Sequence, residues 1–231
     1  MSPFIIAIVT SILAVFVIAC GLKLIDLGSS FTNIIVKAGP AVACVLGVIA
    51  VFNFMLIDAL ELIDMPNVAL VGVISLLAFS LLRFIFDITR RGLLIPKRAK
   101  SRKSGRASKL SIAALFGLDF ISGLVAGAVA GVSFALNIGT GIVVVCAIMM
   151  LMLDQKIGLI RRYQDAHLKR GENIAALAMT LIAFPVAASL VCLFARDYYS
   201  LMGVFLSVAL GYLLCWSVFK AVEIVKTLRK S

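Results

Sequence analysis

The stretch Ile112–Val132 reads IAALFGLDFISGLVAGAVAGV, and Asp119 is its only charged residue. At 1.5 Å per residue this run is ~30 Å long as a helix, which matches the hydrocarbon thickness of a bilayer. Gly123, Gly127 and Gly131 recur every fourth residue, with Ala126 and Ala130 between them. A stripe of such small residues lets a neighbouring helix approach at backbone distance. The segment therefore reads as a membrane-crossing helix with other helices packed around it. Asp119 lies ~10 Å inside the Ile112 end. A carboxylate at a helix centre costs ~2.5–3.5 kcal/mol on insertion scales, so Asp119, with Ser122 beside it, is expected to face helices rather than lipid.

Six further apolar runs flank this one: about Pro3–Leu22, Ala41–Leu60, Val68–Phe86, Leu136–Leu153, Ile174–Ala195 and Leu201–Val222. The first lacks the basic start and small-residue cleavage site of a signal peptide and is kept as a span. The run ending at Leu153 meets Asp154, Gln155 and Lys156, and its helix is expected to continue as an amphipathic extension through Ile160 and Tyr163. Composition agrees: 63% of the 231 residues are hydrophobic and 14% charged, against about 25% charged in a soluble domain. Mean hydropathy is +1.16. The expected fold is an all-α membrane protein, a single bundle of about seven transmembrane helices over residues 1–231, located in a cell membrane.

The net charge of +11 is distributed in a pattern that sets topology. With the amino terminus outside and the carboxyl terminus inside, Lys23 and Lys37 fall at the first cytosolic loop. The run Lys97–Lys109 falls in the second, Arg161 to Arg170 in the third, and Lys226, Arg229 and Lys230 in the tail. Only Arg196 is left outside, as the positive-inside bias requires. Residues 91–111 are expected to be a basic, flexible cytosolic loop between the third and fourth helices. Basic residues between apolar runs point to anionic inner-leaflet lipids, held through Lys97–Lys109, and not to nucleic acid.

Polar residues inside the spans are few. Asn53 lies within the second run, and Asp58, Glu61 and Asp64 follow toward its outer end at i, i+3 and i+6. That spacing offers either a solvated helix end or a cation vestibule. Arg83 and Asp87, four apart, are expected to pair and snorkel at the cytosolic end of the third span. Pro185 interrupts LIAFPVAASL in the sixth span, removing one helical hydrogen bond and bending the helix. His167 is the only histidine, and the five cysteines, Cys20, Cys44, Cys146, Cys192 and Cys215, form no CxxC pair. Multi-histidine zinc and bis-histidine haem sites are excluded, and neither a metal site nor a cofactor is expected. Laying LVGVISLLAFSLL from Leu70 on LMGVFLSVALGYLL from Leu201 matches Gly72 to Gly203 and little else, so a repeat is not established.

Three segments carry a family resemblance. LDFISGLVAGA at Leu118–Ala128, LDQKIGL at Leu153–Leu159 and FMLIDALE at Phe54–Glu61 resemble the fourth-, fifth- and second-helix motifs of the ZIP family of metal-ion transporters. The resemblance implies a permease fold that begins outside the cell and carries a cytosolic loop after its third helix. It also implies a metal site between the fourth and fifth helices. Leu118 and Leu153 replace the family's histidine ligands there, Ser122 and Ile157 its acidic ligands, and Lys156 a proline. Only Asp119, Asp154 and Asp58 offer oxygen ligands, and no eighth span is present among the runs. The resemblance thus implies the fold without the binuclear metal centre.

Two further likenesses are more local. FIFDITRRGLLIP around Asp87 and FGLDFI around Asp119 resemble the aspartate regions of prepilin peptidases, with Leu118 in place of the glycine before the second aspartate. They imply an intramembrane aspartyl protease using Asp87 and Asp119, two carboxyls sharing one site. DAHLKRG at Asp165–Gly171 resembles the cytosolic docking loop of ABC permeases, with His167 replacing an alanine.

The expected function is a small-solute or ion permease. Its polar core would be Asp119, Ser122, Asn53 and Asp58, and its packing residues Gly123, Gly127, Gly131 and Pro185. A non-transporting structural or assembly subunit of a membrane complex is the competing reading, and the protease ranks third. The expected partners are the lipid bilayer and other copies or subunits of a membrane complex. A permease should hide its polar atoms in a cavity, whereas an assembly subunit should expose grooves.

Overall fold

A computed structural model describes residues 2–26, 30–94, 109–165 and 170–228. The described residues are helical apart from short connections. They comprise α1 (Pro3–Asp26), α2 (Ser30–Ala50), a π-helical segment (Val51–Met55), α3 (Leu56–Leu60), α4 (Met65–Leu94), α5 (Lys109–Leu136), α6 (Ile138–Asp165), α7 (Arg170–Asp197) and α8 (Met202–Leu228). The segment 30–60 is one helical rod with a π turn inside it. Five helical stretches are long and apolar enough to cross a membrane: Pro3–Leu22, Ala41–Leu60, Met65–Thr89, Ala113–Leu136 and Tyr199–Val222. Two shorter apolar stretches, Ile138–Leu153 and Leu181–Ala195, complete the set.

The helices overrun the apolar runs. Helix α5 continues four residues past Val132, and α6 continues through Ile160 and Tyr163 to Asp165. Helices α4 and α5 also take residues 91–94 and 109–111 from the expected loop at 91–111, the rest of which lies outside the described residues.

Sharp turns join the helices at one end of the bundle. Between α5 and α6 the connection is Asn137 alone. Its side-chain Oδ1 accepts the Gly139 N–H at 2.8 Å and its carbonyl accepts the Gly141 N–H at 2.9 Å, capping α6. Between α3 and α4 the Asp64 carbonyl accepts from Asn67 and Val68, and Pro66 sits in the first turn of α4, where its missing N–H costs nothing.

Two parallel helix pairs form the framework. Helix α5 lies against α7 through its glycines: a Cβ added at Gly131 would stand 2.6 Å from the Ala188 carbonyl oxygen and 3.0 Å from the Cys192 nitrogen. At Gly127 it would strike the Phe184 carbonyl and come within 2.8 Å of the Ala187 Cβ. Helix α4 meets α8 just as closely: a Cβ at Gly211 would lie 2.8 Å from both the Gly72 carbonyl oxygen and the Leu76 nitrogen. Gly72 thus meets α8 near Leu210 and Gly211, whereas Gly203 lies against Leu62 and Ile63. Helix α1 packs on α6 and α7, and α2 on α6 and α8. Ile18, Met55, Leu115, Phe134, Ile148, Phe184 and Leu206 fill the centre. Val9, Phe16, Leu70, Leu77, Leu81, Ile182 and Phe194 are exposed. An apolar exterior around an apolar centre is the surface a helix bundle presents to lipid.

Candidate functional site

Helix α5 places Leu115, Asp119, Gly123, Gly127 and Gly131 on one ridge, each four residues from the next, and all are buried. Gly127 and Gly131 take the close contact with α7. One and two turns toward Lys109, the same ridge turns to α6. There α6 presents its own ridge of Thr140, Val144, Ile148, Met152 and Lys156, again at four-residue spacing and all buried. The two ridges end on one another: the Lys156 Nζ lies 3.5 Å from the Asp119 Oδ1, and both side chains are fully inaccessible to solvent.

The arrangement is costly by construction. Removing a carboxylate and an ammonium from water costs several kcal/mol for each, and their attraction offsets that only with close geometry and further hydrogen bonds. Apolar residues of the same volume would hold α5 to α6 at least as well. Chemically, the pair is a buried carboxylate whose counter-ion is a flexible, protonatable amine. A proton or a cation that reaches Asp119 competes with Lys156 for the same oxygens.

The other expected polar-core residues do not join this pair. Asp58, half-buried in α3, accepts a hydrogen bond of 2.5 Å from the Thr140 hydroxyl in the first turn of α6. Thr140 and Lys156 are 16 residues apart on α6, so the two polar contacts are separated by ~24 Å. Ser122 is half-buried on α5. Asn53 corrects the sequence reading: it is exposed on the outward side of the π segment, whose buried residues are Val51 and Met55. Within an almost wholly apolar run, spacing alone did not tell the inner face from the outer. Glu61 and Asp64 are exposed in the turn after α3. Among the described residues no three His, Cys, Asp or Glu side chains are grouped closely enough to hold a metal ion. Pro185 is half-buried in α7, and the Ser189 hydroxyl donates to its carbonyl at 2.7 Å.

Sequence reasoning missed two features. Lys156 stands with Asp154 and Gln155 in the sequence like the polar end of an apolar run, although its four-residue spacing from Met152, Ile148 and Val144 continues the buried stripe of α6. The second is an aromatic cluster between α4 and α8. The Arg83 guanidinium lies 3.9 Å from the Trp216 ring centre and 4.3 Å from that of Phe219. The Tyr212 ring meets Phe79 edge-on at 5.2 Å. Stacking on rings gives Arg83 a favourable place near the end of an apolar helix. Asp87, the other aspartate of the protease reading, is half-buried one turn further along α4.

No protein-family model, curated protein or solved structure matches this chain.

Proposed function

We propose that this protein is a polytopic permease of the cell membrane that moves a small solute or ion. In this reading the chain crosses the bilayer seven times, amino terminus outside, and the two shorter apolar stretches complete the five long ones. The observation that carries it is the Asp119–Lys156 ion pair, fully buried at 3.5 Å between helices α5 and α6. Ionisable residues inside membrane helices are rare, face the bundle interior and mark substrate or proton pathways; Asp119 lies inside Ala113–Leu136, and Lys156 stands three residues past Ile138–Leu153. A pair that packing alone does not require is retained for what its charges do.

The ZIP resemblance supports the same reading by placement. The two motif-like segments, Leu118–Ala128 and Leu153–Leu159, contribute the two charged residues that meet. Lys156 then supplies a fixed positive charge beside Asp119 where that family's motifs gather a metal ion. In the working cycle, an arriving cation or proton takes the Asp119 carboxylate and frees Lys156. The loss of that electrostatic tie lets α6 shift against α5.

The test is ion flux through the whole protein reconstituted in lipid vesicles on a solid-supported membrane. Gradients of protons, sodium or potassium are applied in turn. A current above that of protein-free vesicles for at least one gradient is expected. Silence under all three, together with no uptake of a panel of labelled neutral solutes, would leave the chain a structural subunit.

A further inference from the structure

The rod of residues 30–60 changes phase at its π turn. Before the turn its buried residues are Ala43, Gly47 and Ala50; from the turn onward they are Val51, Met55 and Ala59. On continuous α geometry, at ~100° per residue, the second set would point roughly 110° away from the first. The π turn removes that difference. The Leu56 N–H donates to the Val51 carbonyl, five residues back, so this turn holds one residue more than an α turn. One residue of slack is one step of ~100°, and the two sets fall on one face.

The flanks of that face are distinct. On one, Asp58 accepts from the Thr140 hydroxyl of α6 at 2.5 Å. On the other, the Cys44 thiol donates to the Ser217 carbonyl of α8 at 3.5 Å. There Leu56 also borders an open apolar cleft of about 180 Å³, bounded across from it by Gly72 of α4 and Leu210 of α8. Among the described residues, Thr140 is the one hydrogen-bonding partner on another helix for the side chains of 51–60.

We propose that the π turn is a register switch. When it closes to α geometry, α3 turns by ~100° about its axis. Asp58 then crosses the buried face toward α8, and Ile57, exposed in the present register, takes its place opposite Thr140. Met55 moves off the centre to the position Leu56 now holds, where the cleft has room for it, and Phe54 replaces it on the buried face. Each register sets apolar side chains against the bundle, and a single half-buried hydrogen bond holds the present one. The switch exchanges a carboxylate for an isoleucine at the Thr140 end of α6. Single π turns inside α-helices are frequent at functional sites. This device does not depend on whether the Asp119–Lys156 pair moves an ion.

The test is oxidative cross-linking of the full chain in phosphatidylcholine vesicles with copper phenanthroline, the linked peptides being identified by mass spectrometry. Two pairs are compared: Asp58→Cys with Thr140→Cys, and Ile57→Cys with Thr140→Cys. Both should link in the native rod, because each register brings one of them together. Deleting Asn53, an exposed residue of the turn, takes out the extra residue and fixes the present register. The first pair should then still link, and the second should be lost. The deletion should leave the thermal midpoint in detergent unchanged or higher. Deleting the exposed Leu77 from the regular helix α4 should lower it. No link between positions 57 and 140 in the native rod, or one that survives the deletion, would overturn the switch. A midpoint that falls as far without Asn53 as without Leu77 would overturn it too, because the turn would then hold no spare residue.

Discussion

Helix α6 carries a polar contact near each end, and the two are unlike. At its start, Thr140 donates a neutral hydroxyl to the half-buried Asp58, close to the exposed Glu61 and Asp64. Asp58 can keep part of its hydration there, so the contact is a tether between α3 and α6 and asks little of the fold. Sixteen residues on, Lys156 and Asp119 face each other with no access to solvent. Hydration is gone, each charge depends on the protein, and removing either takes from the other the partner at 3.5 Å. One contact is compatible with packing alone. The other imposes a standing cost that packing alone does not require.

Separate removal of the partners should break this comparison most visibly. Lys156→Met leaves Asp119 without the ammonium at 3.5 Å and should cost about 3–5 kcal/mol, read as a large fall in thermal midpoint in detergent. Asp119→Asn takes the carboxylate from Lys156 in the same way. A loss under 1 kcal/mol for Lys156→Met would mean that water reaches the pair.

The glycine ridge that leads to Asp119 gives the next effect. Gly131→Ala places a methyl group 2.6 Å from the Ala188 carbonyl oxygen, a backbone atom that cannot turn aside. Overpacking of this kind costs about 1–3 kcal/mol. Gly117, with nothing within 4 Å of an added Cβ, should accept alanine without loss, and the two variants are read in one denaturation series.

The smallest effect belongs to the tether. Thr140→Val deletes the hydrogen bond to Asp58 and should cost about 1 kcal/mol, because Asp58 recovers water. A loss as large as that of Lys156→Met would erase the distinction between the two ends.

Much of this was legible in the residues, and the gaps have physical causes. Asp119 stood out because a carboxylate in a run of apolar residues has no cheap place. The close approach at Gly127 and Gly131 follows from side chains that are absent. The identity of the approaching helix does not, since a groove carries no label for its partner, and α7 emerges only from the packing. Lys156 was hidden by its neighbours: Asp154 and Gln155 made the segment look like a water-facing end, while the four-residue stripe through Met152 carried the opposite message. Asn53 failed for the converse reason. A polar atom in a span is expected to turn inward, but in a run where nearly every neighbour is apolar nothing in the spacing marks the inner face. Gly72 and Gly211 belong to one interface although alignment had set Gly72 against Gly203, because contact between parallel helices follows depth and not sequence similarity.

In the proposed permease the charges of Asp119 and Lys156 serve movement across the membrane and not cohesion. Replacing both together, Asp119→Leu with Lys156→Met, removes the two opposite charges at once, and buried ion pairs so replaced commonly keep or gain stability. The decisive measurement is the vesicle current of this double variant beside the wild-type current, at matched protein content and with thermal midpoints recorded. A midpoint at or above that of the wild type and a current reduced to the level of empty vesicles are expected. A double variant that carries the wild-type current would contradict it.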